Sequence, residues 1–240
     1  MGKILTKNLF RLSAESPISS ETLDSVGITS GLRSKYVKKG LLLSLQKGVY
    51  MLPNSNIKWQ NAVEFLQRQH PSIHIGGRSA LALNGVVHNI PADAKIHLWG
   101  NGTVKTIPKW FGGIATFVYT TKSPFDSEYA FAVGMFGDLG IRVSEPERAL
   151  FEILDNVGIL YTVEESKNLF DLIISPRKKV LENLISNCKR IKVLRLLAHW
   201  GRELNVSYSD FLIDTVRKFD SRKHLNVVLP DKSILSLPPL

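Results

Sequence analysis

Residues 28–53 read ITSGLRSKYVKKGLLLSLQKGVYMLP, and this stretch decides the fold of the N-terminal part of the chain. Thr29 and Ser30 are residue types that cap the start of a helix. A narrow apolar stripe follows at helical spacing, formed by Leu32, Tyr36 and Val37. Gly40 stands where a residue with a left-handed backbone ends a helix. The stretch therefore predicts a helix that packs against the protein along one side only.

Two short runs of β-prone residues follow this helix, at residues 42–45 and 49–52. Gln46, Lys47 and Gly48 separate them, and a three-residue loop with glycine in the left-handed conformation is a standard hairpin connection. The sequence therefore predicts a β-hairpin that carries a lysine at its tip, directly after the basic helix.

The residues upstream of this stretch predict two further helices. Apolar residues recur at helical spacing in residues 3–12, and Ser19 or Ser20 can cap a short helix over residues 21–26 that Gly27 ends. Helix, helix, turn, helix and hairpin is the order of a winged helix-turn-helix domain, whose recognition helix enters the major groove of DNA. The alternative is a small three-helix domain whose lysines form only a solvated face.

The open face of the basic helix and the hairpin tip supply the candidate DNA-binding residues. Arg33 is the candidate for a bidentate contact to guanine, whereas the lysines are expected to contact phosphates and set the register without reading sequence. Because one such domain covers a short site, two copies on an inverted repeat are expected. The full set is Thr29, Ser30, Arg33, Ser34, Lys35, Lys38, Lys39, Gln46 and Lys47.

The net charge of +10 is distributed in three blocks. Residues 1–58 hold nine lysines and arginines against three acidic residues, residues 59–175 hold nine against twelve, and residues 176–223 hold twelve against five. A cationic N-terminal region suits polyanion binding, since its side chains release counterions from phosphates. The acidic middle argues against a protein that coats DNA along its whole length.

Composition bounds the class of protein. Hydrophobic residues make up 44% of the 240 residues, which is typical of a globular protein. The single cysteine, Cys188, excludes an internal disulfide and suits a reducing cytoplasm. The N-terminus lacks a signal-peptide pattern, and no apolar run approaches the roughly 18 residues that span a bilayer. We therefore expect a cytoplasmic protein without a membrane partner.

The remainder of the chain predicts a second, larger domain. The expected fold class is α+β, with a winged helix-turn-helix at residues 1–56 and a mixed α/β domain at residues 57–240. Helical spacing predicts a helix at residues 59–69, while residues 134–140 read as a loop. From about residue 147 onward the pattern is mainly helical.

Two helix starts in this domain carry local signals. Ser144 and Glu147 have the spacing of a capping box, and Pro176 is expected at the first position of a helix over residues 177–188. The second basic block begins at that helix. It is interpreted either as the solvated faces of two amphipathic helices or as a contact surface for flanking DNA, for an RNA or for an acidic protein. Its candidate residues are Arg177, Lys178, Lys179, Lys189, Arg190, Lys192 and Arg195.

The sequence offers no complete catalytic or metal motif, so no enzyme activity, metal or cofactor is expected. The Gly76-Gly77 turn lacks the third glycine of a dinucleotide fingerprint, and the strand after it lacks the paired carboxylates of a nucleotidyltransferase. We interpret both glycines as allowing a helix to approach a sheet closely. His74 and His97 alternate with apolar residues on candidate strands, but a zinc site requires three or four convergent ligands.

Five segments in order carry a resemblance to a known family: LQKGVYMLP, IHIGGRSALALNGV, IHLWG with a downstream WF, VSEPERALFEILD and LAHWGREL. Together they resemble the AbiEi family of antitoxins from bacterial type IV toxin–antitoxin systems, over nearly the whole chain. The resemblance implies an N-terminal domain that represses its own operon by binding DNA repeats. It also implies a C-terminal domain that counteracts a nucleotidyltransferase-like toxin without a stable complex, and it attributes antitoxic activity to the region of the second basic block.

Two rival functions remain open from the sequence. The first is a winged-helix transcription regulator without a toxin, whose second domain senses a small ligand near Gly76 and Gly77. The second is a degenerate nucleotidyl- or phosphotransferase, which would bind nucleotide with magnesium. The absence of a neighbouring toxin gene would favour the first, and detectable nucleotide binding that depends on magnesium would favour the second.

Overall fold

The computed structural model describes residues 12–87, 95–125, 128–220 and 223–240. The helix predicted for residues 3–12 lies outside these residues, except for Leu12. The chain divides into two compact units. The first comprises the residues up to Pro71 together with Ile107–Phe117 and Met135–Ile141, and the second comprises Ser72–Thr106, Val118–Gly134 and Arg142–Leu240. The domain boundary between residues 56 and 57 stays a prediction.

Residues 12–53, the described N-terminal part of the first unit, form two short helices and a small antiparallel sheet. The elements are β1 (Ile18–Ser19), α1 (Ser20–Ser25), α2 (Ser30–Lys38), β2 (Leu43–Gln46) and β3 (Val49–Met51). The strand order is β1-β3-β2, with Ile18 opposite Tyr50 and Leu43 opposite Met51. Strand β1 has only two residues, too few for a periodic signal, and the sequence did not predict it.

The local signals of this region are confirmed at its caps and turns. Ser19 is the N-cap of α1, and its hydroxyl accepts a hydrogen bond from the Thr22 amide at 3.1 Å. Gly40 (φ +68°) and Gly48 (φ +81°) have the left-handed backbone predicted for the end of α2 and for the hairpin loop. The register of the hairpin shifts between Ser44 and Gln46, so Leu45 is a bulge in β2. Gln46 pairs with Val49, so the loop contains Lys47 and Gly48, and the predicted three-residue loop is wrong.

A small apolar core holds these elements together, formed by Ile18, Leu23, Ile28 and Leu42. Leu32 and Tyr36 of α2 pack against it, as the apolar stripe predicted. Val37, the third residue of that stripe, is 36% exposed and lies outside the packed face. Helix α2 therefore contacts the core along a line of two side chains, which leaves most of its surface open.

A third helix and a short turn from later in the chain also belong to the first unit. Helix α3 (Trp59–Gln69) has the predicted bounds and buries Ala62, Val63, Phe65 and Leu66. A short 3₁₀ turn at Lys109–Gly113 contributes Trp110, whose ring centroid lies 6.4 Å from that of Phe65 in an edge-on contact.

A five-stranded mixed sheet has the order β6-β5-β4-β8-β7, and most of its residues belong to the second unit. Strand β4 pairs antiparallel with β5 and parallel with β8. The strands are β4 (His74–Ile75), β5 (Ile96–Trp99), β6 (Phe117–Thr120), β7 (Phe131–Phe136) and β8 (Leu139–Ser144). The loop predicted at residues 134–140 is wrong, since most of it belongs to the β7 and β8 strands.

Helices account for most of the rest of this unit, and a two-stranded sheet, β9 (Leu225–Val228) with β10 (Ile234–Leu237), closes the chain. The helices are α4 (Gly77–Leu83), α5 (Pro146–Asp155), α6 (Val163–Asp171), α7 (Lys178–Asn187), α8 (Ile191–Glu203) and α9 (Ser209–Arg217). The predicted position of Pro176 is wrong: α7 begins at Lys178 with Arg177 as its N-cap. The fold class is mixed α+β.

Candidate functional site

Helix α2 presents most of the candidate residues to solvent. Thr29 is its N-cap and uses no side-chain capping bond. Ser34 donates a hydrogen bond to the Ser30 carbonyl at 3.3 Å, one turn earlier in the helix. The exposed members of the predicted set on or beside this helix are Thr29, Ser30, Ser34, Lys35, Lys38 and Lys39. The helix carries no carboxylate of its own, so its open face is polar or cationic apart from Val37.

Arg33 does not lie on that face, and its predicted solvent-side position is wrong. Its side chain is 12% exposed, and Nη1 lies 2.6 Å from Oδ1 of Asp24 in α1. The same nitrogen donates to the Ile28 carbonyl at 3.0 Å and to the Ser20 carbonyl at 3.4 Å. Arg33 therefore ties α2 to α1 and to the turn between them. Its guanidinium, which was expected to contact guanine, is engaged within the fold.

The hairpin tip keeps Gln46 and Lys47 exposed. The Gly48 carbonyl behind it accepts a bond from the Ser20 amide at 2.9 Å, which fixes the tip to the start of α1. The Gln46 side chain has a partner within the unit: its Oε1 accepts a hydrogen bond from Nε1 of Trp110 at 3.2 Å. Trp110 and Gln46 are 64 residues apart, so no local sequence pattern predicts this contact.

The second basic block does not form one open surface. Arg195 is completely buried: Nε lies 2.8 Å from Oδ1 of Asp220, and Nη1 and Nη2 donate to the Leu237 and Lys223 carbonyls. Lys192 is half-buried and donates to the Asp155 and Val157 carbonyls at 2.8 and 3.2 Å. Burial lowers the pKa of the Lys192 amine. The predicted surface positions of Arg195 and Lys192 are therefore wrong.

Arg177 is also committed within the fold. Its backbone amide and its guanidinium both donate to Glu147, and Nη1 donates to Glu145 at 3.2 Å. Although burial opposes the charge on Glu147, the hydrogen bonds from Arg177 lower the pKa of that carboxyl. Arg177 itself stays exposed despite these bonds, as do Lys178, Lys179, Lys189 and Arg190.

A buried polar network surrounds Glu152 of α5. Its carboxylate accepts from Nε2 of His74 at 2.8 Å, from Nε of Arg148 at 3.1 Å and from the Gly77 amide at 3.0 Å. Burial alone would raise the pKa of Glu152, but these donors outweigh it and the pKa is lowered. The network ties β4, α4 and α5 together through one ionised side chain.

The same network overturns the predicted capping box. Ser144 donates its hydroxyl to Glu152 at 2.9 and 3.0 Å, and Glu147 contacts Arg177. Helix α5 instead begins after Glu145, with Pro146 in its first turn and without a side-chain cap. Spacing suggested a local pair, whereas both side chains have partners in other parts of the unit.

Gly76 and Gly77 have the close approach that the sequence predicted. A Cβ atom on Gly76 would overlap the Glu152 carboxylate and lie 2.7 Å from the Trp99 ring. On Gly77, whose φ is +51°, it would lie 2.6 Å from the same ring and overlap the Tyr161 hydroxyl. The space beside both glycines is filled by these side chains, which removes the support for a ligand at this turn.

His97 belongs to a second buried contact, with Tyr161. The Tyr161 hydroxyl accepts from the Arg78 amide at 3.3 Å and forms a hydrogen bond with Nδ1 of His97 at 2.5 Å. Burial, together with Arg78 and Lys95, lowers the pKa of His97 to about 4. Within the ranges that the structure describes, no group of three or more histidine, cysteine, aspartate or glutamate side chains could hold a metal ion.

Two family models match the chain and confirm the resemblance. Residues 3–92 match the model described as "Transcriptional regulator, AbiEi antitoxin N-terminal domain". Residues 93–227 match the model described as "Transcriptional regulator, AbiEi antitoxin, Type IV TA system". By class, the chain is a transcriptional regulator. It belongs to the AbiEi antitoxin family of type IV toxin–antitoxin systems, and neither description indicates a catalytic family.

The fold is also found in a solved structure. A crystal structure of the RV2827C protein from Mycobacterium tuberculosis is similar, with a TM-score of 0.58 and 15% sequence identity over 96% of this chain and 89% of that chain. At this identity the likeness shows a shared fold alone. No curated protein sequence matches the chain. Among the described helices, none combines the length and the apolar character needed to cross a membrane.

Proposed function

We propose that this chain is the antitoxin of a type IV toxin–antitoxin pair and that it represses its own operon. Its N-terminal part acts as a winged helix-turn-helix that binds double-stranded operator DNA at inverted repeats. Its second domain counteracts a nucleotidyltransferase-like toxin in the cytoplasm without forming a stable complex. The family membership supports both roles in general terms.

The open face of α2 is the observation that carries the DNA-binding role. Lys35, Lys38 and Lys39 are exposed on a helix that has no acidic residue, and among the described residues Leu32 and Tyr36 are its side chains that pack on the apolar core. Such a helix can enter a groove without disturbing the fold. Lysines that neutralise phosphates supply sequence-independent affinity and make binding depend on salt.

We assign base contacts to the start of α2 instead of to Arg33. The N-terminal residues of a recognition helix are those that meet base edges, and serine or threonine hydroxyls can donate to or accept from any base. Thr29, Ser30 and Ser34 occupy these positions. Arg33 then acts as a positioning residue, which sets the angle of α2 against α1.

The hairpin contributes Lys47 at its tip as a phosphate contact. Gln46 lies beside it, and the Trp110 indole holds the Gln46 side chain in place. We propose that Trp110 positions this wing against DNA. A segment that follows β5 in the chain therefore takes part in binding through the first unit, to which it belongs.

A gel-shift titration tests the DNA-binding role. Purified full-length protein is titrated with the DNA upstream of its own gene at about 0.15 M salt, with scrambled duplex as competitor. We expect a discrete complex that scrambled duplex does not displace, and a variant with Lys35, Lys38 and Lys39 changed to alanine should lose it. Equal displacement by scrambled duplex would reduce α2 to an electrostatic surface and refute operator reading.

A rescue assay tests the antitoxin role separately. The same triple-lysine variant is expressed with the neighbouring toxin, and we expect cells to grow as with the wild type, because the second domain is intact. A matched variant with Lys178 and Lys179 changed to alanine should keep the gel shift and lose part of the rescue. If the triple-lysine variant is folded but fails to rescue, DNA binding and neutralisation are one activity.

A further inference from the structure

A cleft of about 410 Å³ in the second unit combines residues from three separate segments of the chain. Asn101 follows β5, Lys122 and Ser123 follow β6, and Lys189 and Arg190 lie between α7 and α8. The Lys189 amide donates to the Pro124 carbonyl at 3.1 Å, which joins two of these segments at the cleft wall. This volume falls within the roughly 300–1,000 Å³ range of small-molecule sites.

The cleft is strongly cationic. Lys122, Lys189 and Arg190 line it, and Lys105 contacts its edge by donating to the Gly102 carbonyl at 2.8 Å. Among the described residues that line the cleft there is no aspartate or glutamate. Asp155 faces Arg190 from α5, with Nε and Oδ1 3.8 Å apart, and offsets part of its charge. Three cations against this one carboxylate leave the cleft with a net positive charge.

The uncharged groups of the cleft offer donors to a ligand. Oδ1 of Asn101 accepts from the Thr103 amide and hydroxyl, so its amide N–H groups are the part that can meet a ligand. The Ser123 hydroxyl accepts from Arg148 at 3.0 Å and from the Phe125 amide at 3.2 Å, which uses both acceptor positions and leaves its hydrogen to donate. A ligand rich in acceptors and negative charge fits such a lining.

We propose that this cleft binds the polyphosphate group of a nucleotide. A phosphate carries up to two negative charges and presents acceptor oxygens only, which matches three cations and two neutral donors. The cleft is larger than one phosphate requires, and this favours a chain of phosphates. A duplex presents its phosphates on a convex backbone, so a concave site suits a small ligand better. This site is independent of operator binding by the first unit.

Isothermal titration calorimetry with the full-length protein tests the site, with ATP, inorganic pyrophosphate and adenosine as probes and without added metal ions. We expect one site per chain for ATP or pyrophosphate and none for adenosine. Lys122→Ala and Arg190→Ala should each weaken binding about tenfold, as the loss of one charge-assisted hydrogen bond predicts. Lys218→Ala removes the same charge from an exposed position directly after α9 and should stay within twofold.

Each outcome of these titrations either supports the site or overturns it. ATP binding tighter than pyrophosphate identifies a nucleotide, and equal binding identifies the phosphate chain as the recognised group; both support the site. No binding of either probe at millimolar concentration overturns the proposal, as does unchanged binding in both variants. If the two variants weaken the operator gel shift and leave ATP binding as in the wild type, the cleft contacts duplex DNA and the proposal fails while the proposed function stands.

Discussion

The two units use charge in opposite ways. The first unit has an apolar core beneath α1 and α2 and carries its lysines on the outside. Every buried polar or charged residue among those described lies in the second unit, where Arg148, Glu152 and Arg195 are at most 2% exposed. Two basic blocks that look alike in the sequence therefore differ in the structure, because one keeps its lysines exposed to solvent and the other uses several of its cations to hold its own fold.

Arg195→Ala tests the buried half of this comparison and should have the largest effect. Removing the guanidinium leaves the Asp220 carboxylate, which is 4% exposed, without its cation, and it leaves two carbonyls without a donor. Breaking a buried ion pair on one side costs about 3–5 kcal/mol. We expect a loss of that size in the free energy of unfolding, measured with urea.

Arg202→Ala is the matched control for this variant. Arg202 lies on the same helix but is exposed, so its loss should change the free energy of unfolding by no more than about 0.5 kcal/mol. If the two variants have equal stability, buried charge does not hold the second unit and the comparison fails.

The pH dependence of stability gives the second test. Since the pKa of His97 falls from 6.5 to about 4 on folding, the folded state keeps the ring neutral while the unfolded state binds a proton below about pH 6.5. Proton binding therefore favours the unfolded state as pH falls from 6.5 toward 4. The free energy of unfolding decreases by at most about 3 kcal/mol in this window. His97→Gln should flatten that part of the profile, measured by urea unfolding at successive pH values.

A profile of the variant that runs parallel to the wild type would contradict this assignment. Below about pH 4.5 a further loss is expected in both proteins, since the pKa of Glu152 is lowered on folding and its contribution disappears as the carboxyl is protonated. The difference between the two proteins, and not either profile alone, therefore reports on His97.

The elements that could be predicted are those with local signals. Helix α2, the hairpin and α3 follow from caps, from glycines that need a positive φ, and from helical spacing within ten or so residues. The strand β7 escaped prediction because Gly134 weakens any local strand signal, whereas pairing within the sheet decides the outcome.

The roles of the charged residues could not be predicted because their partners are distant in the sequence. Arg195 meets Asp220 25 residues later, Glu147 meets Arg177 30 residues later, and His74 meets Glu152 78 residues later. Spacing along one helix cannot reveal such partners. Spacing also led to the incorrect prediction of a capping box. Ser144 and Glu147 fit that local motif, but in the structure they bond Glu152 and Arg177.

Arg33→Ala tests an exception within the first unit and should have a smaller effect. This arginine behaves like those of the second unit, as it bonds Asp24 and two carbonyls. Asp24 is half exposed, so water can replace part of the ion pair, and we expect a loss of about 1–2 kcal/mol in the free energy of unfolding.

Lys38→Ala is its matched partner from the exposed face of α2. We expect unchanged stability within about 0.5 kcal/mol, weaker operator binding, and a salt dependence reduced by about 0.9 in the slope of log K against log salt. The reverse pattern, with stability lost at Lys38 and operator binding lost at a stable Arg33→Ala protein, would restore Arg33 as a reader of bases.

Trp110→Phe should have the smallest effect, and it is the most specific test of the exposed surface. It keeps a smaller aromatic ring near Phe65 and removes the indole N–H that donates to Gln46. A neutral, partly exposed bond contributes about 1 kcal/mol at most, so operator affinity should fall by no more than about fivefold while stability is retained. Combined with Gln46→Ala, the substitution should add nothing further, because the bond is already lost. A full additional loss in that background would mean that Trp110 contacts DNA itself, and the surface of the first unit would then extend beyond α2 and the hairpin.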